Sequence, residues 1–527
     1  MRILFVQPAP FEPGRLGLEN AVWLSEPAAF TSLAAMVPEH ECRILDLRLE
    51  PDSALNRELL SFRPDVVAVS CMTTDSYQAM AILQCAKNTL GKDKVFCIAG
   101  GHHPSLAPYD FHHPSIIDAI GIGEGEETFR ELVDHLVAGG DWHKLQAING
   151  LCFFDGVQWV TTTKRAQSRS MDSFPLPNRS LLKKYSSSYF FMTAMPMASL
   201  ATSRGCAYDC NFCGIWEFYE KKVRFLSAQR ICDALEQMDE DFVMFLDDNF
   251  LTSQKRLEEL CDEIERRGIK KLYGAQGRAD FVVKHPELMA RLRKVGLSLL
   301  ISGYETNDEQ GLAALKKSSV ADANKLAAKM LNDLGVAIFG IFMVRPDFTH
   351  ADFDFLYKSI DEMRITLPII TIHTPLPGTQ LRKLLQGNLL TEDVRFFDLL
   401  HAVTPTKLPR EEFYTRFTEG WAKREWKNAP FLDFVKKRPD YMKATWRGLI
   451  HLTQMLVRYR PVATSPDSHL RDEIGIIPAD LTMVNAREKA YDKAPIKMAP
   501  PPSSSGPSSG KPGLPILSNQ LSDQAAE

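Results

Sequence analysis

The sequence predicts an α/β protein with an N-terminal Rossmann-like domain, a partial (β/α)6 barrel of the TIM type and a C-terminal helical region. Three observations predict it. Short, near-continuous apolar runs alternate with helical stretches, the pattern of parallel strands buried on both faces. That alternation pauses once, at an irregular Pro-rich segment, and then restarts. At 527 residues the chain exceeds the roughly 250–300 at which a single core stops growing, so several domains are expected.

Residues 1–140 form the first unit. Its strands are Ile3-Leu4-Phe5-Val6, Arg43-Ile44-Leu45-Asp46, Val66-Val67-Ala68-Val69-Ser70, Val95-Phe96-Cys97-Ile98-Ala99 and Ala119-Ile120-Gly121-Ile122. Ligands of such sheets sit beyond the carboxyl ends of the strands. There lie Gln7-Pro8-Ala9-Pro10, Ser70-Cys71-Met72-Thr73-Thr74, Gly100-Gly101-His102-His103-Pro104 and Gly123-Glu124-Gly125-Glu126. No GxGxxG follows the first strand, which argues against a dinucleotide. Small residues and hydroxyls suit a large, amide-rich ligand, because backbone can approach it closely and polar groups find partners.

Residues 141–195 read as a linker with a hairpin, Gly150-Leu151-Cys152-Phe153-Phe154 turning at Asp155-Gly156 into Val157-Gln158-Trp159-Val160. Residues 196–385 carry the barrel. Its six strands start near Ala198, Phe242, Lys271, Leu297, Ala337 and Ile369. Reactive groups of such barrels cluster at the carboxyl ends of the strands. Four elements end there in polar residues or a rigid turn: Asp247-Asp248-Asn249, Gln276-Gly277-Arg278, Gly303-Tyr304-Glu305 and Thr374-Pro375-Leu376-Pro377-Gly378-Thr379. Helix capping is the alternative for the aspartates, a solvated surface residue for Arg278 and a structural ion pair for Glu305.

The first barrel strand delivers Cys206-Ala207-Tyr208-Asp209-Cys210-Asn211-Phe212-Cys213, introduced by Thr202-Ser203-Arg204-Gly205. Three thiols at this spacing can close on one face of an iron–sulfur cube and leave the fourth iron open, whereas structural zinc sites and most cubes need a fourth ligand. The other seven of the ten cysteines have no metal spacing. A zinc knuckle, or three unrelated buried thiols, is the alternative. CxxxCxxC with Phe212 before its last cysteine resembles the radical S-adenosylmethionine (SAM) superfamily. The resemblance implies a [4Fe-4S] cluster on Cys206, Cys210 and Cys213, with Phe212, Gln276, Arg278, Gly303 and Glu305 around SAM. Arg278 would hold the SAM carboxylate and Glu305 its amino or ribose groups.

The first unit resembles the cobalamin-binding domain joined to many radical SAM enzymes. By that resemblance Ser70, Thr73, Thr74, Gly100, Gly101, His102, Gly123 and Glu124 surround cobalamin. The usual Asp-x-His-x-x-Gly after the first strand is absent, which puts a histidine ligand to cobalt in doubt; for His102 and His103 a hydrogen-bonding or surface role is the alternative. Ile215-Trp216-Glu217-Phe218-Tyr219, Phe245 to Leu251 and Leu400 to Tyr414 are similar to the hopanoid C-3 methylase group. These likenesses imply a methyltransferase that alkylates an unactivated carbon through a 5′-deoxyadenosyl radical and methylcobalamin, on C-3 of a hopanoid lipid. A methylase of an antibiotic or tetrapyrrole, or an oxidative cyclase, stays open. An external electron donor of the flavodoxin or ferredoxin type is implied too.

With 62 basic against 66 acidic residues and no long basic run, no nucleic-acid partner is expected. The N-terminus runs straight into a strand and no stretch reaches the ~20 apolar residues of a membrane helix. The expectation is a cytoplasmic protein with reduced cysteines, and peripheral contact with the inner membrane is an alternative for the basic helical stretch bearing Arg447, Arg458 and Arg460. Residues 386–493 read as helical and 494–527 as a disordered Pro/Ser-rich tail.

Overall fold

The computed structural model describes residues 1–9, 22–168, 170–306, 309–317, 321–424, 429–441, 448 and 465–470. The stretch with Arg447, Arg458 and Arg460, and the expected tail, lie outside them. In the first unit the strands are β1 (Arg2–Gln7), the short β2 (Trp23–Leu24), β3 (Glu41–Asp46), β4 (Val66–Ser70), β5 (Phe96–Gly100) and β6 (Ala119–Gly121). Ile3, Leu4, Phe5 and Val6 are all fully buried, as a central parallel strand with helices on both faces requires.

The sheet continues beyond β6. β7 (Leu151–Phe154) and β8 (Trp159–Thr161) pair antiparallel onto it, giving seven strands in the order β3-β1-β4-β5-β6-β7-β8. The hairpin expected in a linker is thus the edge of the first sheet. Its turn is set by Asp155, whose Oδ1 accepts from the Val157 and Gln158 amides at 2.8 Å, and by Gly156 at φ 97°.

β9 (Phe190–Phe191) pairs back onto β2. The second sheet holds β10 (Met197–Leu200), β13 (Phe242–Phe245), β14 (Leu272–Gln276), β15 (Leu297–Glu305), β16 (Ala337–Val344) and β17 (Leu367–Ile372), all parallel and in that order. Between its first two strands, β11 (Ser203–Arg204) and β12 (Arg224–Phe225) form an antiparallel clasp around the cysteine loop.

Alternation along the strands sorts the barrel's side chains. Met197, Phe242, Met244, Leu299, Ile301, Ala337 and Phe339 fill the interior, while Ala198, Val243, Phe245, Leu300 and Ile338 pack outward on the helices. Phe191, Phe434 and Tyr441 close the amino end of the barrel. A C-terminal helix therefore plugs the floor of the barrel. The reason is apolar burial: Phe434 and Tyr441 meet edge to face with ring centroids 5.0 Å apart, and Tyr441 meets Phe242 at the start of β13. The 410–424 helix lies on the barrel's flank, with Phe413 against Phe353. A groove of about 510 Å³ beside Asn332, Gly335, Thr366 and Phe434 opens at this floor end, away from the cysteines. Among the described residues no helix is long and apolar enough to cross a membrane.

Candidate functional site

The cysteine loop is built on a buried carboxylate. Asp247, fully buried just after β13, accepts from the Thr202 amide (2.6 Å), the Thr202 hydroxyl (2.6 Å), the Ser203 amide (2.9 Å) and the Ser203 hydroxyl (2.6 Å). Asp248 accepts from the Gly205 amide at 2.8 Å, and burial raises its pKa to about 6. Neither aspartate caps a helix; Ser253 caps the one that follows. Gly205 has φ 91°, and a Cβ there would collide with the Lys222 carbonyl. Further along, Trp216 Nε1 donates to the Cys210 carbonyl (2.9 Å) and the Cys213 amide does so at 3.1 Å.

Cys206, Cys210 and Cys213 are half-buried and free of disulfides. Backbone amides of Tyr208 and Ile215 hydrogen-bond the sulfurs of Cys206 and Cys213, a contact that favours the thiolate. Without metal, burial pushes the Cys213 thiol up to about 12. Among the described residues no three His, Cys, Asp or Glu side chains could together hold a single metal ion. A cube, which takes one thiolate per iron, fits this donor set better than zinc does.

At the barrel mouth, Gln276 ends β14 and by strand alternation points inward, as do Leu246, Gly303, Ile341, Thr371 and His373, all half-buried. Arg278 is already engaged: its guanidinium lies 3.7 Å over the Tyr208 ring and its Nε donates to Asp280 at 3.1 Å, so it braces the cysteine loop. Glu305 sits at φ 59° after a bulge in β15 and is buried with Lys317, whose Nζ donates to it at 2.8 Å and also to the Gly303 carbonyl. A buried ion pair on a strained backbone beside two cluster cysteines marks a built site. Lys317 belongs to no motif that would single it out in the sequence. Phe212 faces His373, ring centroids 6.1 Å apart.

The carboxyl ends of the first sheet carry the other half. A Cβ on Gly100 or Gly123 would meet nothing within 4 Å, so both present bare backbone to open space. Gly101, at φ 102°, is close-packed: its Cβ would stand 2.7 Å from Ser70 Oγ. Ser105, which the sequence pattern did not single out, joins the two loops by donating to the Gly101 carbonyl (2.7 Å) and accepting from the Gly123 amide (3.0 Å). A flat, bulky group such as a corrin fits a cradle of this kind. Replacing Gly100 by Leu strains nothing yet fills that space. The variant is expected to keep its unfolding temperature and to lose at least about tenfold in cobalamin affinity, measured by equilibrium dialysis.

Other expected ligands of this half have other partners. Thr73 Oγ1 is 3.1 Å from His103 Nδ1, and His103 Nε2 is 3.0 Å from Asp110, so both ring nitrogens of that buried histidine are in use. Thr74 faces Asp75 at 3.5 Å. The Glu124 carboxylate accepts from Arg204 (2.8 Å) and Arg224 (2.7 Å) and so ties the sheet to the cysteine loop. His102 packs edge-on to Phe218 at 4.9 Å, and burial lowers its pKa to about 4.

These contacts join the halves. Glu126 adds to the Arg204 pair, while Glu26, Arg179 and Glu240 form a second interdomain network. Leu106, ending the short helix that begins at His102, lies where a Cβ on Gly214 (2.8 Å) or on Gly378 (2.6 Å) would be, so two glycines make its socket. Gly214 directly follows Cys213.

Residues 15–133 match the B12 binding domain family and residues 200–360 the radical SAM superfamily. Hopanoid C-3 methylase of Methylococcus capsulatus is 29% identical over 79% of this chain and 78% of its own length. Anaerobic magnesium-protoporphyrin IX monomethyl ester cyclase of Rubrivivax gelatinosus is 25% identical, over 85% of this chain and 82% of that protein. The solved structure of the cobalamin-dependent S-adenosylmethionine radical enzyme OxsB, with aqua-cobalamin and S-adenosylmethionine bound, is similar in fold. Its TM-score is 0.64 at 14% identity, covering 93% of this chain and 83% of that one.

Proposed function

We infer that this chain, a cobalamin-dependent radical SAM enzyme by its two matched domains, methylates an unactivated carbon, and we take C-3 of a hopanoid-type triterpenoid as its substrate position. The observation that carries the reading is the Leu106 contact, which sets the glycine cradle of the first sheet directly against the residue following the last cluster cysteine. When bound, the [4Fe-4S] cluster with SAM supplies a carbon-centred radical and cobalamin supplies a methyl group, the route open to a carbon with no electron pair to offer.

The chain's own residues do the rest. Cys206, Cys210 and Cys213 hold the cluster on a loop pinned by Asp247. Glu305 and Lys317 offer a carboxylate and an ammonium to the charged groups of SAM, and Gln276 faces the same space. Gly100 and Gly123 admit the corrin, and Ser105 holds their loops in register. Leu246, Ile341 and Phe339 line the interior with hydrocarbon, which keeps water from a radical and suits a lipid ring system. The methylase relative supports the triterpenoid; the cyclase relative supports a tetrapyrrole reaction without methyl transfer.

Anaerobically reconstituted protein, given SAM labelled in its methyl group and, in parallel samples, a hopanoid extract or a tetrapyrrole extract, is expected to yield 5′-deoxyadenosine and, from the hopanoids, a product heavier by one labelled methyl. Deoxyadenosine without label transfer would sink the methylase reading; label on a tetrapyrrole but on no hopanoid would sink the substrate. Lipid extracts from cells with and without the gene should differ by one added CH₂.

A further inference from the structure

Arg204 stands two residues before Cys206, yet its side chain is drawn into the other half of the molecule. It faces Arg224 across the β11–β12 clasp, so the clasp brings two guanidinium groups together. Like charges repel, and the first sheet supplies the anions that offset them. Glu124 accepts from Arg204 Nη1 at 2.8 Å and, through the same oxygen, from Arg224 Nη2 at 2.7 Å, while Glu126 pairs with the other terminal nitrogen of Arg204. The four side chains are between 7 and 18% exposed, so solvent and salt screen the cluster little.

Both ends of this link reach a cofactor site. Glu124 directly follows Gly123, which offers bare backbone to the corrin cradle and whose amide is held by Ser105 at 3.0 Å. Arg204 leads through Gly205, whose amide is held by Asp248, into Cys206. The Leu106 socket meets the opposite end of the cysteine loop, beside Cys213. An apolar contact alone leaves a pivot about which the loop can tilt, because the hydrophobic effect has no direction. A forked guanidinium between two carboxylates is directional and removes that pivot. Holding the halves together does not require it. Glu26, Arg179 and Glu240 already tie them near the amino end of the barrel, where Glu240 precedes β13.

We propose that Arg204 is a positioning residue: it sets the separation and tilt of the cysteine loop against the corrin cradle, so that the two cofactors, when bound, face one substrate carbon at a fixed distance. Only the second readout below rests on the methylase reading. The test uses the full chain with cluster and cobalamin loaded. Arg204→Gln is combined with Glu126→Gln, which removes one charge of each sign and leaves Arg224 paired with Glu124, so no lone charge stays buried.

Iron content and the cobalamin dissociation constant are expected to stay within about twofold of wild type, because the cysteines and the glycine cradle are untouched. Two other quantities should move. A reduced cluster speeds the electron-spin relaxation of cob(II)alamin more strongly the closer it lies; that enhancement should fall at least about twofold, and deoxyadenosine formed per methyl transferred should rise at least about tenfold. Arg204→Lys, which keeps the charge but lacks the fork, should fall between the two. Wild-type relaxation in the double variant, or a wild-type ratio, overturns the assignment and reduces Arg204 to interdomain glue. Loss of iron or cobalamin from a folded double variant overturns it too, since Arg204 would then build a site rather than align two. Should the double variant fail to fold, Arg204→Lys decides by the same readouts. A wild type that forms deoxyadenosine but transfers no methyl sinks the methylase reading, and the relaxation comparison then decides the alignment alone.

Discussion

A chain in which Cys206, Cys210 or Cys213 is replaced by alanine is expected to lose its cluster, and with it all formation of 5′-deoxyadenosine. Each of three irons takes one thiolate, so two remaining sulfurs leave an iron bare to water and the cube disassembles; bound iron should fall from about four atoms per chain to below about one. The loop itself should survive, since Asp247, Trp216 and the β11–β12 clasp hold it through atoms other than the sulfurs. Cys232→Ala and Cys261→Ala are the controls. Both thiols are buried in the outward-facing barrel core, and their loss should cost about 1–2 kcal/mol of stability with full iron content retained. The readouts are the broad visible absorption, iron analysis and chromatographic detection of deoxyadenosine. A triple alanine variant that still reconstitutes a cluster would refute the ligand set.

Much of this architecture was legible in the sequence, for identifiable reasons. Runs such as Val66-Val67-Ala68-Val69 and Phe242-Val243-Met244-Phe245 announce parallel strands because burial on both faces leaves no polar position to alternate with. The cysteine spacing is local, so it survives without knowledge of the fold. The two family matches uphold the cobalamin and radical SAM expectations that followed from these patterns. What was not legible depends on partners distant in the chain. The pairing of Glu124 with Arg204 and Arg224 is made 80 and 100 residues further along the chain. The hairpin at 151–161 carries no mark that says which sheet it joins, and Leu106 is an ordinary leucine until Gly214 and Gly378 are seen to leave room for it. The floor plug by Phe434 and Tyr441 escaped for the same reason: helical periodicity shows that a face is buried, not against what.

The second large effect is expected at Asp247, and it separates scaffold from chemistry. Asp247→Ala leaves two amides and two hydroxyls without their acceptor in a fully buried site, and Arg256, 3.5 Å away, loses its counter-charge. Rotating hydroxyls can find substitutes, but the Thr202 and Ser203 amides are fixed by the chain. Two orphaned buried donors and an uncompensated guanidinium amount to about 4 kcal/mol or more, among the larger costs for one residue. Asp247→Asn is the sharper probe. It keeps the shape and one acceptor oxygen, but its NH₂ must face donors, so the loss should be smaller, about 2 kcal/mol. Because the residue lies on the barrel side of the molecule, both variants should still bind cobalamin at the first sheet while taking up iron poorly. Urea midpoints, cobalamin retention and iron content measured on the same samples test this. Wild-type stability and full iron loading in Asp247→Ala would show that the loop is held by something else, and a variant that lost cobalamin along with iron would show instead that the two halves fold as one unit.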